Sequence, residues 1–204
     1  MADEPTPRGG PDAPCASPAR IPLDAASATE RLLAAHEAWF DVQRGYELGG
    51  DVFDGFAEMH AHGEKYVLVK SAKLWEIDTG ELVFFKALPV LDAATLDATL
   101  ALVKEAGFAL VHPGPNHMSS NVGLVVVADS VEPEARRAVR STRYRKNYRF
   151  GLWGWSDLRL AVVDLSQEGR GRFAVNGAGK SLLPTLEANL GASGSDRGRK
   201  EGMQ

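Results

Sequence analysis

Residues 122–129 read VGLVVVAD, and a second apolar run, DLRLAVVDL, follows at 157–165. Alternate side chains of a strand project to opposite sides, and in VGLVVVAD both sets are apolar. Such a strand is buried on both faces, so the chain that carries it must supply a packing layer above and another below. Helical segments of the right kind are present. A capping box, SATE, places Ser27 before Glu30, and Leu32, His36, Trp39 and Phe40 follow at helical spacing. A second helix opens at Asp92, runs through Leu96, Leu100 and Val103, and stops at Gly107. A third starts near Pro133 and reaches about Tyr144.

Between the first two helices the signal is that of strands. FAEMHAH, EKYVLVKSAKLWEI and ELVFFKAL are rich in β-branched and aromatic residues and are interrupted by HGE and DTGE, which predicts an antiparallel meander from Val52 to Leu88. RFAV is expected to pair with DLRLAVVDL as a short closing hairpin. The resulting order is helix, three or more strands, helix, strand, helix, strand. This is an α+β fold: a mixed sheet, built from the meander plus later strands, with helices packed against it.

Six prolines between Pro5 and Pro22, set among Gly, Ala and Ser, mark residues 1–24 as a flexible leader, and GASGSDRGRKEGMQ has the same character. One domain is therefore expected over residues 25–191, followed by a tail at 192–204. No apolar run approaches the ~20 residues that cross a bilayer, and the first residues lack a signal-peptide pattern. The expectation is a cytoplasmic protein with no membrane partner. Cys15, the single cysteine, lies in the leader and supports neither a disulfide nor a thiolate metal cage. A net charge of −4 excludes a protein that coats nucleic acid all over, while leaving room for a local basic patch.

The stretch FAVNGAGKSLLPTL, residues 173–186, imitates a phosphate-gripping loop. A true one needs glycine, four residues, then Gly-Lys-Ser, because the intervening amides must wrap the phosphates. Counting back from Gly179, the first glycine would stand at 174, which is Ala174. The segment reads instead as a glycine-rich turn, and no nucleotide cofactor is expected.

The most distinctive charge feature is EARRAVRSTRYRKNYRF. Arg136, Arg137, Arg140, Arg143, Arg145, Lys146 and Arg149 put seven positive charges into fourteen residues. On a helix, Arg136, Arg140 and Arg143 fall within about 60° of one another, with Ala135, Ala138 and Val139 left to face the sheet. Tyr144, Tyr148 and Phe150 interleave with the later charges, and Trp153 and Trp155 alternate around Gly154. Cations neutralise phosphates and rings stack on bases, so Arg136, Arg140, Arg143, Tyr144, Tyr148 and Trp155 form the candidate binding set. The bland alternative is a solvated face whose arginines pair with the chain's own acids.

Histidines offer a second constellation. Glu58, His60 and His62 alternate in EMHAH, and His117 lies in the later loop HPGPNHMSSN. His60, His62 and His117 would suit a metal if the fold brought them together, although no HExxH pattern is present. Ser119 and Ser120 neighbour His117 without a GxSxG elbow. Asp157 and Arg159 share a strand face and could pair across a strand or serve a site.

EKYVLVKSAKLWEID, NHMSSN, GWSDLRLAVVDL and the VNGAGK ending, in this order, resemble a family of small bacterial proteins known as a domain of unknown function, over roughly residues 30–182. The resemblance implies no activity, but it does imply that the Gly-Lys ending is a terminal turn. A looser likeness is to the restriction-endonuclease-like fold, in which an aspartate and a Glu-x-Lys hold magnesium. Asp78 and Lys86 stand at candidate positions, but Phe84 occupies the glutamate's place, so the catalytic motif is missing. The reading that results is a non-catalytic binding domain that takes phosphate, nucleic acid or an acidic partner. The alternatives are a metal-dependent hydrolase or decayed nuclease, and a protein-interaction scaffold recruiting partners through its tails.

Overall fold

The computed structural model describes residues 23–64, 76–114 and 117–191, excepting the side chains of residues 60–64 and 76–79. Residues 1–22 of the predicted leader, the tail after residue 191 and most of EKYVLVKSAKLWEI lie outside the described residues, while Asp24, placed in the leader by the sequence reading, belongs to the first helix as its cap. The chain runs α1 (Ala25–His36), β1 (Asp41–Leu48), β2 (Asp51–Glu64), β3 (Glu76–Leu91), α2 (Ala93–Glu105), β4 (His117–Val131), α3 (Pro133–Ser141), β5 (Arg145–Asn147), β6 (Trp155–Asp164), β7 (Phe173–Val175) and α4 (Leu183–Leu190). A mixed sheet of order β1-β2-β3-β4-β6-β5 forms the middle layer, and β7 pairs with β6. The first three strands are antiparallel, as the meander requires. β3, β4 and β6 are parallel, joined by crossovers through α2 and α3.

The apolar runs sit where their composition demands. Val122 and Leu124–Ala128 are buried without a break in side chains, and their two faces belong to different cores. Leu124 and Val126 join Phe84, Leu158 and Leu160 beneath Leu96, Leu100 and Val103 of α2 and Ala135 and Val139 of α3. Val125 and Val127 join Phe85, Ala161 and Val163 beneath Leu32 and Leu33 of α1 and Leu186 and Leu190 of α4. Burying a Val, Leu or Phe side chain is worth about 1.5–3 kcal/mol, so two such cores make the three-layer arrangement the stable one.

Local chemistry explains most boundaries. The Asp92 carboxylate accepts from Thr95 N at 2.7 Å and caps α2. α1 starts earlier than SATE implies: Asp24 is the cap, accepting from Ser27 N at 2.7 Å, while Glu30 binds Arg44. β1 extends the sheet before Val52 and is absent from the sequence reading. Its residues are mostly exposed, so no apolar alternation betrays it. It turns into β2 through Gly49 and Gly50, both at positive φ (57° and 90°), the backbone a two-residue hairpin turn needs. α3 ends at Ser141, not near Tyr144. α4 is likewise unanticipated, following the NGAGK turn.

Candidate anion-binding edge

The outer edge of β6 is shared by two short strands. β5 covers residues 155–157, and β7 covers residues 161–163. Between them the buried side chain of Asn176 takes the place of a strand. Its Oδ1 accepts from Leu160 N (3.0 Å) and Gly179 N (2.6 Å), and its Nδ2 donates to Leu158 O (2.9 Å). Gly179 passes so close to β6 that a Cβ would stand 2.3 Å from Leu160 O. The phosphate-loop lookalike is thus a turn locked onto the sheet edge. A cleft of about 380 Å³ remains at this gap, lined by Arg143, Tyr144, Arg145, Asp157, Asn176 and Gly177 among others.

The basic segment divides sharply. Arg136 points inward, donating to Asp164 Oδ2 at 2.8 Å and to Gly171 O at 2.6 Å, and Asp164 is only 2% exposed. Arg137 pairs with Glu134. Arg145 grips Asp157 through two nitrogens, 2.6 and 2.7 Å, and covers the Trp155 ring. That carboxylate raises the Arg145 guanidinium above its ordinary pKa. Lys146 lies over Tyr148 and Arg149 over Trp153, the latter at 4.1 Å. Arg140 and Arg143 are exposed and have no hydrogen bond or ion pair among the described residues. The helical stripe of three arginines is therefore not what forms: Arg136 serves the fold, and Arg143 lies beyond the end of α3.

The rings are redistributed too. Tyr148 is buried, donates to Ser156 Oγ at 3.1 Å, and has its phenol pushed up by that burial, opposed in part by the hydrogen bond. Tyr144 packs edge-on against Phe108 with Lys104 over its face. Trp153 packs against the core beneath α2 and α3, whereas Trp155 lies under Arg145. The alternation breaks at Gly154, whose φ is 72°. Among the rings of this segment the exposed one is Phe150, which sequence reasoning passed over as a stacking group. Its signal was FGLWG, apolar residues punctuated by glycines.

His62 pairs with Asp78 across β2–β3, and Asp78 with His117 across β3–β4, so the ladder brings these positions into one row. His60 pairs with Gly80, two rows along the ladder. The side chains of His60, His62 and Asp78 lie outside the described residues. His117 is buried, its Nδ1 2.7 Å from Trp153 O and its Nε2 2.8 Å from Ser120 Oγ, so both ring nitrogens have protein partners. No group of three metal-binding side chains occurs among the described residues. In the restriction-endonuclease comparison, Phe84 is core and Lys86 is paired with Asp51 at 2.5 Å. Asp157 and Arg159 each pair across strands, with Arg145 and Glu81.

No helix among the described residues is long and apolar enough to cross a membrane. No curated protein and no solved structure matches the chain. A family model does, over residues 24–187, which takes in every element from α1 to most of α4. The chain belongs to that family, described as a domain of unknown function (DUF8052).

Proposed function

We propose that this is a non-catalytic binding domain, acting in the cytoplasm, whose basic edge docks onto the phosphates of a nucleic acid or another polyanion. The observation that carries the reading is the contrast within one segment: five of its seven cations have an acid or a ring as partner, while Arg140 and Arg143 stand exposed and without a partner among the described residues. An unpaired guanidinium offers five donors in a planar fork suited to phosphate oxygens. Arg143 also lines the cleft at the split sheet edge, where a bound group would meet Arg145 and the backbone of Gly177. The Arg145–Asp157 pair contributes little net charge, so the uncompensated guanidinium at the cleft is that of Arg143. Binding of the full chain to a single-stranded oligonucleotide, titrated against salt, tests this. Each phosphate contact steepens the log–log slope by about 0.7 to 0.9. The double variant Arg140→Gln/Arg143→Gln is expected to flatten the slope by roughly 1.5, whereas Arg137→Gln leaves it unchanged. No binding at low salt, or an unaltered slope in the double variant, rejects the proposal.

A further inference from the structure

Between Tyr148 and Gly154 the chain forms a tight loop with costly backbone geometry. Arg149 (φ 45°) and Phe150 (φ 58°) are consecutive non-glycine residues in the left-handed region, where side chains meet the backbone unfavourably. The surroundings hold them there. Gly151 N and Trp153 N both donate to Tyr148 O, Leu152 N donates to Arg149 O, and Tyr148 N donates to Gly154 O. The Trp153 carbonyl is fixed by His117, and Gly154 lies so close to β4 that a Cβ would stand 2.1 Å from Met118 O. A backbone this constrained nevertheless leaves Phe150 fully exposed, Leu152 80% exposed and Met118 half-exposed. Arg149 within the loop and Lys146, three residues before it, are each held against a ring.

We propose that the loop Arg149–Leu152 is an interfacial anchor that seats the domain on an anionic phospholipid surface. Phe150 and Leu152 enter the boundary between headgroups and acyl chains, while Lys146 and Arg149 meet the headgroup phosphates. The charge component rests on the basic edge proposed above, and the apolar component does not. Exposed apolar side chains with basic residues in the same segment are the pairing that a bilayer surface complements, acyl chains to the one and headgroups to the other. Base stacking would account for Phe150 but not for Leu152 or Met118, which have no flat π face. A stable protein interface engages about 20–30 residues a side, far more than this four-residue loop. The cytoplasmic leaflet is anionic, and each Lys or Arg near it adds about fivefold to binding. A peripheral contact of this kind needs no spanning helix.

Co-sedimentation of the full chain with vesicles tests the idea, using phosphatidylcholine alone and mixtures with about one-third phosphatidylserine. Binding is expected to the anionic vesicles only. Phe150→Ser/Leu152→Ser, at exposed positions and with a circular dichroism spectrum expected to match that of the parent, should weaken it at least about tenfold. Arg140→Gln/Arg143→Gln should weaken it less. Absence of binding to anionic vesicles, or binding indifferent to the Phe150/Leu152 pair, overturns the anchor. If the oligonucleotide still binds through Arg140 and Arg143 in that case, the basic edge stands alone. If oligonucleotide binding itself depends on Phe150 and vesicle binding does not occur, the loop is a stacking group and the anchor falls.

Discussion

Asn176 shows how much one side chain can do at a sheet edge. A strand ending beside a neighbour leaves backbone groups without ladder partners, and buried ones cost about 1–3 kcal/mol each if unsatisfied. The amide group of Asn176 satisfies Leu160 N, Gly179 N and Leu158 O at once. Asn176→Ala is expected to lower unfolding free energy by at least about 3 kcal/mol in a denaturant titration. Asn176→Asp should not rescue it, since the carboxylate cannot donate to Leu158 O and adds a buried charge. A loss below about 0.5 kcal/mol, typical of surface sites, would show that the gap closes without it. Arg136 and Asp164 illustrate a different economy: a buried carboxylate needs a partner, and the helix above supplies one from 28 positions away.

Helix ends set the next level of organisation. Asp24 and Asp92 each accept a backbone N–H from three residues on, and both carboxyls are held below the ordinary value of 3.8, Asp24 chiefly by the Ser27 side chain and then its N–H, Asp92 chiefly by the Thr95 N–H and then its side chain. A depressed folded pKa stabilises fully above the unfolded value and is lost as pH falls through the folded one. The acid limb of the stability curve should therefore steepen below about pH 4. Asp92→Asn keeps a capping acceptor but cannot titrate, so the variant is expected to show a flatter acid limb with near-normal stability at neutral pH. Asp92→Ala should flatten the limb and also lower the neutral-pH midpoint. Denaturant midpoints measured from neutrality down to about pH 2 separate the two. An acid limb identical in all three proteins would show that the cap does not titrate in this range.

Two cores back to back on one sheet make β4 the most protected part of the molecule. It is paired on both sides, by β3 and β6, and covered on both faces. In native-state hydrogen exchange, the amides of residues 122–128 should exchange last, at the rate of global unfolding. Those of β1 and β5 should exchange first among the strands, because one edges the sheet and the other is three residues long. Equal protection of β1 and β4 would mean that the domain opens only as a whole. The basic character of β5 has a further consequence: charge on an exposed edge discourages pairing with another copy, whatever else those residues bind.

VGLVVVAD and DLRLAVVDL dictated two central strands, and Asp92 and Pro133 dictated where helices begin, because these signals act between near neighbours in the chain. The turn at NGAGK was legible for the same reason, through spacing that cannot encircle a phosphate. β1 and β5 were not legible, since an edge strand needs no apolar alternation and takes its identity from the strand beside it. Nor could local pattern separate Arg136 from Arg140. Both are arginines on one short helix, and the difference is Asp164 arriving from the end of β6. The same holds for Tyr148 against Phe150: one ring is buried beside His117 and Ser156, and the other is turned to solvent by a left-handed backbone. Whether a charge or a ring is free depends on what packs opposite it, and that partner is placed by contacts between residues far apart in sequence.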